Sequence, residues 1–184
     1  MEIRVRIQWV VAMTAILLAG CAGTAPKAAY NQKIEVNQRI ASQDVASVTV
    51  EAPPDVKVLD SERARLAEKI DQKIKDHKAA NAREGDARNY AVELKLTRYE
   101  KGSAFARSML AGLGQIHIDG DVSVFALPDR QKVGDFHLKK TFAWGGIYGG
   151  ATSIEDIEGT FADGVAAAVT GQEEAKDSGK AKKK

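Results

Sequence analysis

The sequence predicts an α+β fold, a two-layer sandwich of an about four-stranded sheet with two helices packed on one face. Four stretches alternate apolar and polar residues with period two, and two stretches carry an apolar stripe at helical spacing. Their order is strand, helix, strand, strand, strand, helix. Each strand then has one apolar face and each helix one stripe, which two layers bury most economically. A chain of 184 residues with 44% hydrophobic and 28% charged side chains is suited to one globular domain.

The first strand is 47–51, with Val48 and Val50 on one side, and Pro53-Pro54 ends it. Asp60 or Ser61 caps a helix running to about Ala80, in which Leu66, Ile70 and Ile74 form the stripe. A polar turn covers 81–88. Tyr90, Val92, Leu94 and Leu96 then alternate with Ala91, Glu93, Lys95 and Thr97 as a half-buried strand. Residues 115–127 and 133–144, joined through Pro128-Asp129-Arg130-Gln131, form an antiparallel hairpin. Thr152-Ser153-Ile154-Glu155 is a capping-box signature that opens the second helix. Its stripe is Ile154, Ile157, Phe161, Val165 and Val169, and Gly171 stops it.

Residues 1–20 read as an address. Arg4 and Arg6 outweigh Glu2, and the uncharged apolar run from Trp9 to Gly20 has signal-peptide length, short of a spanning helix. Leu18-Ala19-Gly20-Cys21 resembles a bacterial lipobox. The resemblance implies a lipoprotein whose signal peptide is removed before Cys21 and whose Cys21 carries the acyl chains (diacylglycerol and an amide-linked chain such as palmitate). Ala22, where an Asp would mark inner-membrane retention, implies by the same resemblance the outer membrane, with the domain facing the periplasm. Residues 21–46 read as a flexible tether with a short ordered piece at Ile34–Ile40. The α+β domain occupies 47–171, and 172–184 reads as a disordered Lys-rich tail. A single Cys excludes an internal disulfide framework and a Cys-only zinc site. A net charge of +2 argues against a dedicated nucleic-acid binder.

Two Gly-rich connections stand at strand ends, 98–114 (RYEKGSAFARSMLAGLG) and 145–150 (GGIYGG), and both are expected near one another. Tyr99, Gly102-Ser103-Ala104, Arg107, Gly112 and Gly114, followed by Val122, Val124, Asp129 and Gly134, resemble a bacterial lipoprotein family known as domain of unknown function 4410. The resemblance covers about residues 45–170 and brings no catalytic residues with it.

Ser103 and Ser108 lack a nucleophile-elbow context, and Gly112-Leu113-Gly114 lacks the phosphate-loop Lys and the dinucleotide fingerprint. The expectation is therefore a protein that is not an enzyme and takes no cofactor. His117, Asp119 and Asp121 alternate on one strand, either as a divalent-metal trio or as a solvated sheet face, and no metal site is assigned. The expected role is a non-catalytic lipid-anchored envelope lipoprotein, an adapter or assembly factor. Its envelope protein partner is expected to dock on Tyr99, Gly102, Phe105, Arg107, Met109 and Tyr148, and self-association stays open. The alternatives are a small-ligand or metal-binding lipoprotein and a membrane-inserting oligomer.

Overall fold

The computed structural model describes residues 24–173. The signal peptide and the lipidation at Cys21, both expected from the sequence, and the Lys-rich end of the chain lie outside them. The described residues fold as α+β, with a five-stranded mixed sheet and four α-helices. The strands are β1 (Ala29–Gln32), β2 (Val45–Glu51), β3 (Asn89–Glu100), β4 (Ile116–Leu127) and β5 (Gln131–Phe142), in spatial order β1-β5-β4-β3-β2. Two long helices, α1 (Asp60–Lys78) and α4 (Ile154–Thr170), pack on each other and on the sheet. Two single-turn helices, α2 (Ala104–Met109) and α3 (Gly146–Ala151), occupy the Gly-rich connections.

β2 and β3 pair in parallel, with Val48 opposite Val92 and Val50 opposite Leu94, because α1 carries the chain back between them. β4 and β5 form the expected hairpin, with Val122 opposite Phe136 and Ile118 opposite Lys140. Tyr90, Val92, Leu94, Leu96, Ile116, Ile118, Val122 and Val124 bury one sheet face against Leu66, Ile70, Ile74, Ile157, Phe161 and Val165. Gly120 lets this packing close, since a Cβ there would lie 2.6 Å from Leu94 Cδ1.

The expected four strands become five because the segment read as a tether joins the sheet. β1 pairs antiparallel with β5, Tyr30 opposite Phe136. Ile34 lies buried over Gly134, and the Ile40 amide donates to Val169 O at 3.1 Å. The buried Asp44 carboxylate accepts from the amides of Ala41 and Arg88 and pairs with Arg83 at 2.8 Å. Burial here comes from isolated residues at irregular spacing, so no periodic signal marks it. The tail also starts later than 172. Glu173 accepts from the Ala28 amide and the Tyr30 hydroxyl, both at 2.9 Å, and Gln172 donates to His77 O at 2.7 Å.

Both long helices begin differently from expectation in detail. Neither Asp60 nor Ser61 caps α1; Leu59 is the N-cap residue, and the Glu62 carboxylate accepts its amide at 2.9 Å. The box at α4 is shifted by one residue, with Ser153 at the cap and Asp156 bonding back to its amide at 2.9 Å. Gly171 ends α4 at φ +77°, a left-handed conformation that favours glycine.

Candidate functional site

The two Gly-rich connections meet at one end of the sheet and build a single unit. Ser103 caps α2 by accepting the Ala106 amide at 3.2 Å, and α2 packs against α3. The Gly112 amide donates to Ala143 O at 2.9 Å. A Cβ on Gly145 would stand 2.4 Å from the Ala111 amide nitrogen, and one on Gly149 would stand 2.1 Å from Trp144 O. Gly145 and Gly149 are required because the backbones touch there.

Arg107 is the centre of this unit. It is buried, and its guanidinium donates to four carbonyls drawn from both connections. Nε reaches Gly149 O at 2.8 Å and Nη2 reaches Thr152 O at 2.8 Å. Nη1 reaches Gly114 O at 2.7 Å and Lys101 O at 3.3 Å. Five donors in a rigid fork suit this task. Arg107 is thus removed from the expected partner-binding set: its donors are spent on carbonyls within the fold.

Two more members of that set are also structural. Tyr99 is buried, and its hydroxyl donates to Glu158 at 2.8 Å. Burial, with the adjoining carboxylate, pushes the Tyr99 hydroxyl far above the ordinary phenol range. Gly102 sits at φ +62°, and a Cβ there would lie 2.2 Å from Gly114 O. It is exposed but has no side chain to dock with, and it shapes the turn into α2.

The remaining three do face solvent. Phe105 is 75% exposed, Met109 67% and Tyr148 52%. They are joined by Leu110, Leu113, Trp144 and Ile147, the last 93% exposed and missing from the expected set. Of the ten large hydrophobic side chains exposed among the described residues, six lie on these two packed connections and Trp144 adjoins the second, so the exposure is local to this end. Ile147 belongs to the same Gly-rich pattern as Tyr148, and that pattern was the signal available for finding it; Trp144, expected at the end of the fourth strand, lies past the end of β5. Underneath, the Tyr148 ring meets Phe142 at 6.4 Å between centroids, which ties the surface to the core.

The metal-trio alternative does not assemble. His117 Nδ1 lies 3.0 Å from Thr141 Oγ1, whereas Asp121 turns to His137 at 2.8 Å. Among the described residues no group of three or more His, Cys, Asp or Glu side chains is placed to hold a metal. The candidate serines bond locally, Ser108 donating to Phe105 O at 2.7 Å. Among the same residues no helix is long and apolar enough to cross a membrane.

The fold has counterparts among solved structures. The PelC dodecamer from Paraburkholderia phytofirmans is 10% identical with a TM-score of 0.51, over 78% of this chain and 97% of that one. A variant PelC dodecamer from the same organism is 8% identical with a TM-score of 0.51, over 79% and 96%. Protein XCC0632 from Xanthomonas campestris, of the DUF330 family, is 13% identical with a TM-score of 0.49, over 83% and 99%. No curated protein matches the sequence. The family model for the domain of unknown function DUF4410 matches residues 30–146, which run from Tyr30 in β1 through Arg107 to the first residue of α3, and the chain therefore belongs to the DUF4410 family.

Proposed function

We propose that this chain is a non-catalytic, lipid-anchored envelope lipoprotein that faces the periplasm from the outer membrane and works by docking, as an adapter or assembly factor. One observation supports this above the others: an exposed apolar platform is held in one conformation by a buried Arg whose donors are spent on carbonyls. A hydrophobic surface built at the expense of buried polar groups is the property of a binding element. The lipobox-like Leu18-Ala19-Gly20-Cys21 supplies the anchor.

The test is in-cell photo-crosslinking from positions 105 and 147, with position 49 on the polar sheet face as control. Docking predicts adducts, to protein or to lipid, at 105 and 147 that are absent at 49. A well-expressed chain giving no platform adduct refutes docking there. The anchor is tested separately: Cys21→Ser should abolish acyl labelling and normal processing, and an unaltered pattern would refute the lipobox reading. A second reading, assembly into a ring of copies, is supported by the dodecameric state of the PelC structures that share this fold. It predicts adducts between copies.

A further inference from the structure

We infer that the occupant of the platform is the membrane surface itself: the tips of α2 and α3 seat in the lipid interface beside the acylated Cys21. The inference rests on the lipid-anchored reading and names what the platform docks on.

The path of the chain carries the argument. β1 runs antiparallel to β5, with Tyr30 opposite Phe136 and Ala29 opposite His137. Moving from Ala29 towards the N-terminus therefore means moving along β5 towards Phe142. Lys140 Nζ fixes that course by donating to Thr24 O at 2.5 Å. Phe142, two residues past Lys140, is about 7 Å further along the strand, and its ring underlies Tyr148 of the platform. Cys21 precedes Thr24 by three residues, and a link of that length reaches at most about 11 Å. The anchor and the platform thus leave the domain at the same end.

Charge and chemistry agree with a lipid occupant. Residues 101–118 and 136–154, which contain α2 and α3, hold no Asp or Glu. The nearest carboxylates on β3 and α1 are neutralised, Glu100 by Arg98 at 2.7 Å and Glu62 by Lys101 at 2.6 Å. Trp144 and Tyr148, each about half exposed, are the amphipathic rings that favour the headgroup level. Phe105 and Ile147, three-quarters or more exposed, are the apolar tips. Each helix is six residues long, far short of a span, so the contact is interfacial, about 5–10 Å deep. The opposite end of the sheet is charged: Arg39, Arg83, Glu84 and Arg88 line a cavity of about 560 Å³ there.

The experiment uses the full, acylated chain in vesicles of phosphatidylethanolamine and phosphatidylglycerol. Ile147→Cys and Thr49→Cys variants are labelled with a polarity-sensitive fluorophore. The acylated sulfur of Cys21 does not react, so each variant carries one label. Lipids bearing a quencher just below the headgroup should reduce the signal at 147 and leave 49 unchanged. A quencher at the end of the acyl chain should affect 147 less. Equal behaviour at 147 and 49 overturns the inference while the anchor stands. So does quenching at 147 that depends on protein density rather than on quencher lipid, which would place another copy on the platform. Intact mass without acyl chains overturns the anchored reading and this inference with it. Phe105→Asp together with Ile147→Asp, both at exposed sites, should keep the circular dichroism spectrum and raise the fluorescence anisotropy decay rate of the anchored domain.

Discussion

At the residue scale, the molecule is most sensitive where a side chain is surrounded by backbone. Arg107 donates to four carbonyls, two of which, Gly149 O and Thr152 O, it meets in buried hydrogen bonds. Arg107→Lys keeps the charge but loses the fork, and should cost about 2–3 kcal/mol in denaturant unfolding. Amide exchange should then rise over 103–114 and 145–152 while β3, β4 and β5 stay protected; an unchanged platform would refute the clamp. Gly102→Ala should cost about 2–3 kcal/mol, since it combines a left-handed backbone with a contact on Gly114 O. A stability within a few tenths of the parent would count against that geometry. The sequence shows Arg107 as a lone charge in an apolar Gly-rich run. A recognition residue and a buried clamp look the same there, because the difference lies in which carbonyls the fold brings within reach.

At the scale of elements, α1, α4 and β3 are joined by one buried carboxylate. Glu158 on α4 is fully buried and accepts from Arg65 Nε at 2.8 Å, Lys69 at 2.8 Å and the Tyr99 hydroxyl at 2.8 Å. Burial pushes its pKa up, but the hydrogen bonds from Arg65, Lys69 and Tyr99 outweigh burial and hold it below the ordinary carboxylate value. A depressed folded pKa gives stability that is full above the unfolded value of about 4.3 and is lost as pH falls through the folded one. Glu158→Gln should therefore destabilise by about 2–3 kcal/mol at neutral pH and make the acid arm of the stability curve shallower. A parallel acid arm would refute this. His117 works at milder pH: burial, then the nearby Arg98 charge, lowers its pKa, so the fold prefers it neutral. Its contribution is full above about pH 6.5 and is lost as pH falls through its folded value, and His117→Gln should flatten the curve just below about pH 6.5. The long elements were legible because Leu66, Ile70 and Ile74, or Tyr90 to Leu96, carry a period. Glu158 was not: it sits between Ile157 and Gly159 with no mark that Arg65 and Tyr99 would arrive from distant positions.

At the scale of the whole molecule, the N-terminal segment closes the sheet and brings the chain to the platform end. The sequence reads 21–46 as a tether with a short ordered piece at Ile34–Ile40; Ile34 and Ile40 are core residues, and the segment around them is held at both sides. Lys140 fixes Thr24, Glu173 fixes Ala28 and Tyr30, and Val169 fixes Ile40. A free tether and a closing strand predict different proteolysis. In a tether, trypsin would cut after Lys33 and Arg39 before any site in the helices. In the closed fold, cleavage after Arg39 requires breaking the Ile40–Val169 bond and pulling Ile40 out of the core, so it should follow global unfolding. Ile34→Ala should open this step. It leaves a cavity over Gly134 and should cost about 2–4 kcal/mol. Cleavage after Arg39 should then become faster than cleavage within α1, measured by mass spectrometry of timed digests. Early cutting at Arg39 in the parent chain would restore the tether and remove the short link between anchor and platform. Late cutting would mean that, in the lipid-anchored protein proposed above, the domain is held close to Cys21, with little freedom to leave the surface proposed for the platform.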